Sequence, residues 1–273
     1  MAPTRTGVHV QGADFMAVHQ GTGIARRLTH AYRRTRWSLP YEREHRMKVE
    51  IYSDVVCPWC YIGERRFARA LSEFDGGDEV EVVFRPFQLD PDAPEVAVPH
   101  AEYIEKRFGR RAEGMHHSID AAAEGEGLSF AWDQALAANT RTAHRLLRLA
   151  HLEHGPAVQR GLAERLFDLH FSRGGNIADP EQLADEAAAA GMDRGRALEH
   201  LASQEGLQEL DAAFQTARAS GVRAVPTFVF DGQWVVEGAQ SKEKFLDALE
   251  EVARTDAPTD AADAACRDGI CEV

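Results

Sequence analysis

Between Met47 and Leu89 the chain changes hydrophobic period twice. In "MKVEIYSDVV" Val49 and Ile51 alternate with Lys48 and Glu50, the two-residue period of a half-buried strand. Ile62, Phe67, Ala70 and Leu71 then follow a helical period, and Gly76 and Gly77 of "FDGG" end it. "EVEVVFRPFQL" (79–89) returns to strand character. The opening therefore predicts β–α–β, with a crossover helix joining two parallel strands. A proline-rich crossing (90–99) leads into residues 100–220, where no strand pattern stands out. "HAEYIEKRFG", "WDQALAANTRTAHRLLRLAHLEHG", "AVQRGLAERLFDLHFSRG", "DPEQLADEAAAAG" and "DRGRALEHLASQEGLQELDAAFQTARASG" read as successive helices, with Asp179 and Asp193 as N-caps. Strands resume at "PTFVF-DGQWVVEG", a hairpin around Asp231-Gly232. A final amphipathic helix, "SKEKFLDALEEVA", begins behind Ser241.

The order βαβ, helical block, ββα predicts an α/β sheet of four or five strands, helices on both faces and the block as a lid over the active end. The segments are 1–46, 47–99, 100–220, 221–252 and 253–273. The first carries eight Arg against three acidic residues and reads as a disordered arm or an upstream start ahead of Met47, with a membrane-surface or targeting role as the alternative. The last is small, polar and acidic, a flexible tail.

Composition narrows the function classes. At 44% hydrophobic over 273 residues the chain has enough apolar material for a core without staples. The net charge of −13 argues against a nucleic-acid surface. No run approaches a membrane span, and the first thirty residues lack a signal-peptide apolar stretch, so a cytoplasmic location is expected. Disulfide staples are uncommon there, which gives the four cysteines a catalytic or metal-binding cast.

Two of them stand in "SDVVCPWCYIGERRF", between the first strand and the first helix. Cys57 at the helix N-terminus sits where unpaired N–H groups favour a thiolate. Pro58 suits an early helical position. Cys60, one turn inside, would be the more buried, resolving thiol. Cys57 would attack a substrate disulfide and Cys60 release it, or the cycle would run in reverse. Trp59 between them is a substrate-contact candidate. A zinc site is the competing reading, and would need His100, His116, His117 or His144 to fold toward the pair.

"GVRAVPTFVF" places Pro226 at a strand start. With a cis Val225–Pro226 bond, the Val225 N–H and C=O could pair with an extended substrate beside Cys57; a trans bond would make it an ordinary strand opening. Phe87, Trp132 and Asn139 are candidates for lining a groove, with packing as the simpler role for the two aromatics. Asp54 and Glu50 either tune the thiols or face solvent. His144, His151 and His154 share a helix but complete no hydrolase or zinc-protease motif. "DGG" and "SRGG" lack the spacing of a phosphate loop. No cofactor or metal is expected.

The stretches around Cys57 and Pro226 resemble the DsbA family of thioredoxin-fold oxidoreductases, in particular its FrnE-like cytoplasmic branch, over about 47–252. That resemblance implies a thioredoxin-like fold with a large inserted all-helical subdomain. It implies Cys57 as nucleophile, Cys60 as resolving thiol and Pro226 as the cis-proline. It also implies exchange or isomerisation of disulfides on protein or small-molecule thiols, with glutathione or a thioredoxin-type protein as a candidate reductant. The related 2-hydroxychromene-2-carboxylate isomerases and kappa-class glutathione transferases carry serine in place of Cys57. A glutathione-dependent isomerase or transferase acting on an aromatic metabolite is therefore the alternative enzyme, and a non-catalytic metal-handling or chaperone protein the third reading. Cys266 and Cys271 flank "RDGI", where Asp268-Gly269 can turn the chain. They resemble the second pair of FrnE-like proteins, which implies a redox relay; a local staple or soft-metal site stands beside it. Oligomeric state, substrate and direction of electron flow are not readable.

Overall fold

The computed structural model describes residues 46–109 and 115–255. The basic arm, apart from Arg46, and Cys266 and Cys271 lie outside the described residues. Strand β1 (Lys48–Ser53) leads into α1 (Pro58–Glu73), and β2 (Glu81–Pro86) returns parallel to β1. The insertion carries α2 (His100–Phe108), α3 (Met115–Glu124), α4 (Arg141–His154), α5 (Pro156–Phe171), α6 (Pro180–Ala189), α7 (Arg194–Ala202) and α8 (Leu207–Ala219). Then come the hairpin β5 (Thr227–Phe230) and β6 (Trp234–Glu237) and the closing helix α9 (Lys242–Thr255). The four-stranded sheet runs β2-β1-β5-β6, antiparallel from β1 onward. This is a thioredoxin-like α/β core interrupted by a helical subdomain.

Register explains the layers. Val49 pairs with Phe230 and Ile51 with Phe228, so these four side chains share one face. Helices α1 and α9 cover it: Phe67 lies 5.3 Å from Phe228 and 5.6 Å from Phe245, ring centre to ring centre, and all are fully buried. The hairpin turn has positive φ at Asp231 (47°) and Gly232 (67°), which explains the Asp-Gly there. Asp231 also ties the turn to β1, exchanging hydrogen bonds with Lys48 through backbone and carboxylate.

On the opposite side the outer edge of β2 meets the insertion. Val82, Val83 and Phe84 are buried in succession, as in a strand covered on both faces. Buried Gln159 of α5 accepts the Phe84 N–H (2.9 Å) and donates to the Phe84 carbonyl (3.0 Å), standing in for an adjacent strand. The helices thus clasp the strand edge, with α4 reaching the turn before Cys57.

Three local expectations need correction. Helix α4 starts at Arg141, not near Trp132, because Leu136–Ala137 (β4) pairs with Val98–Pro99 (β3) as a short antiparallel ribbon. The stretch from 194 to 219 is two helices, broken at Ser203–Gly206, where Gly206 has φ 77°. Helix α3 was not foreseen. The caps at Asp179, Asp193 and Ser241 do form: the first two side chains accept from Glu181 and Arg196 N–H, and the Ser241 hydroxyl from Lys244 N–H.

Candidate active site

The turn from β1 into α1 sets the site. Cys57 N–H donates to the Asp54 carbonyl at 3.0 Å, closing the turn. Cys57 then occupies the N-cap in extended conformation (φ −92°, ψ 110°), and Pro58 opens the helix without an N–H to satisfy. Cys60, one turn on, donates its backbone N–H to the Cys57 carbonyl at 3.0 Å. Both residues are free thiols and almost wholly buried. Trp59 between them is 36% exposed.

The hairpin supplies the opposing wall. The Val225–Pro226 peptide is cis, and the Cys57 thiol donates to the Val225 carbonyl at 3.6 Å, across 168 residues of sequence. Gly63 makes this approach possible: a Cβ there would stand 3.0 Å from Pro226 Cγ and 3.3 Å from Ala239 Cα. Phe87 is buried, packed with Ala217 and Val222 against Val225, and so supports the wall from behind.

Burial pushes the Cys60 thiol well above the usual thiol range, and the adjacent Cys57 adds to the rise. The nearby Ser53 side chain and Asp54 backbone favour the thiolate and oppose that rise.

Asp54 does not face solvent: it is fully buried. Its Oδ1 meets His144 Nε2 of α4 at 3.2 Å, and its Oδ2 accepts the Leu89 N–H at 2.8 Å. This pair joins residues ninety apart and had no local signature. Glu50 is held by Arg85 and Lys48: burial disfavours its charge, but these two outweigh that and hold the carboxyl below its ordinary range. Trp132 donates to Asp120 at 2.7 Å and stacks on His116 at 4.1 Å. Asn139 is buried, accepting from Gln88 and donating to the Pro91 and Ala93 carbonyls. Neither residue borders the thiols through any of these contacts. His154 is exposed, and burial, then Arg85, lowers His151 below the usual imidazole range.

A partly open cavity of about 610 Å³ lies under the insertion, between β1, β2 and helices α4, α5 and α8. Ser53, Val55 and His144 border it, but neither cysteine does. Among the described residues no three His, Cys, Asp or Glu side chains converge on a metal site. No described helix is long and apolar enough to cross a membrane.

Residues 48–250 match the family described as DSBA-like thioredoxin domain. The uncharacterized protein YwbO of Bacillus subtilis (strain 168) is 29% identical over 213 residues, covering 74% of this chain and 94% of YwbO. The crystal structure of a probable DsbA oxidoreductase from Streptomyces coelicolor superposes with a TM-score of 0.70 at 33% identity, covering 83% of this chain and 99% of that one. The cytosolic disulfide reductase DsbM of Pseudomonas aeruginosa shares the fold at 20% identity and a TM-score of 0.56, covering 76% and 99%.

Proposed function

This chain belongs to the DSBA-like thioredoxin-domain family, and we propose that it exchanges disulfides through Cys57 and Cys60. The observation that carries the reading is the Cys57 sulfur at a helix start, 3.6 Å from the carbonyl that precedes Pro226. Attack by the Cys57 thiolate on a substrate disulfide forms a mixed disulfide and releases one substrate thiolate. Attack by Cys60 on Cys57 then releases the second and leaves the Cys57–Cys60 disulfide. Backbone groups of Val225 pair with an extended substrate while Trp59 flanks it.

A cytoplasmic setting, with glutathione or a thioredoxin-type protein returning the pair to dithiol, fits the sequence features given above. So does the FrnE-like branch, whose support is the Cys-Pro-Trp-Cys-Tyr run and the Cys266/Cys271 pair; a relay through that pair is part of the proposal. Isomerase activity follows from the same chemistry when the substrate resolves the mixed disulfide itself. The alternative of a glutathione-dependent isomerase draws on the cavity under the insertion, but a reaction there would proceed without either thiol at hand.

The test is mass mapping of thiols across defined glutathione potentials, with Cys60→Ala as a trap. Reversible Cys57–Cys60 oxidation in the parent and a stable Cys57 mixed disulfide in the variant are expected. Turnover of an aromatic substrate that survives Cys60→Ala, with no Cys57–Cys60 disulfide at any potential, would replace this reading with the isomerase.

A further inference from the structure

The exchange cycle leaves one proton without a destination. Cys60 must lose its proton before it can attack, yet it is 2% exposed and burial holds it in the thiol form. With Cys57 itself only 4% exposed, a substrate joined to it leaves little approach for water to Cys60 from that side. The residues behind Cys60 offer another way out.

The Ser53 side chain lies near Cys60, where it favours the thiolate, and Ser53 also borders the 610 Å³ cavity. His144 borders the same cavity. Its ring is fixed: Nε2 meets Asp54 Oδ1 at 3.2 Å, and Phe214 of α8 packs edge-on at 5.6 Å. A carboxylate partner selects the tautomer with hydrogen on Nε2, which leaves Nδ1 as the ring's proton acceptor. Asp54 is itself held by the Leu89 N–H. At about 610 Å³ the cavity that Ser53 and His144 both border has room for water. A thiol, a hydroxyl that can pass a proton, a cavity and an oriented imidazole are therefore in sequence.

We propose that His144, oriented by Asp54, takes the Cys60 proton through Ser53 and the cavity, a route separate from the substrate-binding side. This rests on the disulfide-exchange reading. In the resolving step the Cys60 S–H bond breaks and its proton passes by way of Ser53 to His144 Nδ1. The Cys60 thiolate attacks Cys57 Sγ, the Cys57–Cys60 bond forms, and the substrate sulfur leaves as thiolate with the electron pair. The enzyme gives up two electrons over the cycle, and the substrate disulfide becomes two thiolates. In reverse, imidazolium returns the proton to departing Cys60. His144 and Ser53 act on proton movement and Asp54 is a positioning residue.

The test is single-turnover reaction of the reduced full chain, carrying Cys266→Ser and Cys271→Ser, with a symmetric nitroaryl disulfide whose released thiolate is coloured. The first thiolate reports attack by Cys57, the second resolution by Cys60. His144→Gln, which keeps a donor toward Asp54 but takes no proton, is expected to slow the second release about a hundredfold and leave the first unchanged. Ser53→Ala is expected to slow the same phase. Added imidazole should restore the second release in His144→Ala, where the side chain's space opens to the cavity. His151→Gln, on the same cavity, should leave both phases alone.

Equal slowing of both phases by His144→Gln, or an unaltered second phase, would overturn the relay, as would an effect that moves to His151→Gln. If the parent releases no first thiolate, it is the exchange reading that fails.

Discussion

His170 makes the acid limb of stability calculable. It ends α5 fully buried beside Phe171 (4.5 Å, edge-on), with no hydrogen-bond partner at Nδ1. Burial, then the neighbouring His100, lowers it to about 4, while the Asp54 charge pulls slightly the other way. In the unfolded chain a histidine titrates near 6.5. Between those values the unfolded state binds the proton and the folded state does not, so stability falls as pH drops from about 6.5 toward 4. The linkage integral gives a loss of about 2 kcal/mol by pH 5 and about 3 kcal/mol by pH 4, relative to neutral pH. The assay is urea unfolding at a series of pH values for the parent and for His170→Phe, which keeps an aromatic ring against Phe171. Any constant packing cost of the larger ring cancels in the slope. Groups titrating alike in both proteins cancel too, so the difference curve isolates His170. It should rise by about 2 kcal/mol from pH 7 to pH 5 in favour of the variant. A flat difference curve would refute the assignment of a buried neutral imidazole.

Other perturbations follow from the same contacts. Gly63→Val would press Pro226 and Ala239 away from α1, costing about 1–3 kcal/mol and slowing the first thiolate release; equilibrium unfolding and the single-turnover assay check the two effects. Gln159→Leu orphans the Phe84 N–H and carbonyl, for a loss of about 2–5 kcal/mol and faster hydrogen exchange at Phe84. Burial pushes the Glu64 carboxyl up despite its contact with Arg160 at 3.1 Å. Arg160→Met therefore costs about 3 kcal/mol by stranding a buried charge, whereas Glu64→Gln stays within about 1 kcal/mol in chemical denaturation.

Where neighbours along the chain decide structure, the sequence was readable. Alternation in 47–53, the helical period after Pro58 and the Asp-Gly turn each specify an element from within a few residues, as do the acidic caps at 179 and 193. The ribbon of Val98–Pro99 with Leu136–Ala137 was not, because two-residue strands leave no period to detect. The cysteine pair was visible through its position between strand and helix. Its surroundings were not: Asp54 is polar and next to a turn, which reads as solvated, and its burial is made tolerable by distant groups, a histidine from α4 and the Leu89 N–H. Arg145 is a similar case. Its guanidinium is buried because the carbonyls of His200, Ser203 and Glu205, at the break between α7 and α8, accept from it.

The clasp of Gln159 on Phe84 bears on how the molecule comes apart. The insertion divides the chain between β2 and β5, an arrangement that elsewhere permits two units to melt one after the other. Here a helix of the inserted segment completes the bonding of a strand in the host sheet. Peeling the helices away bares two peptide groups along the buried edge of the host sheet, and removing β2 leaves Gln159 of α5 without the bonds it makes there. The two parts should therefore share a single melting transition, with a redox centre whose integrity is reported by any probe of the helices.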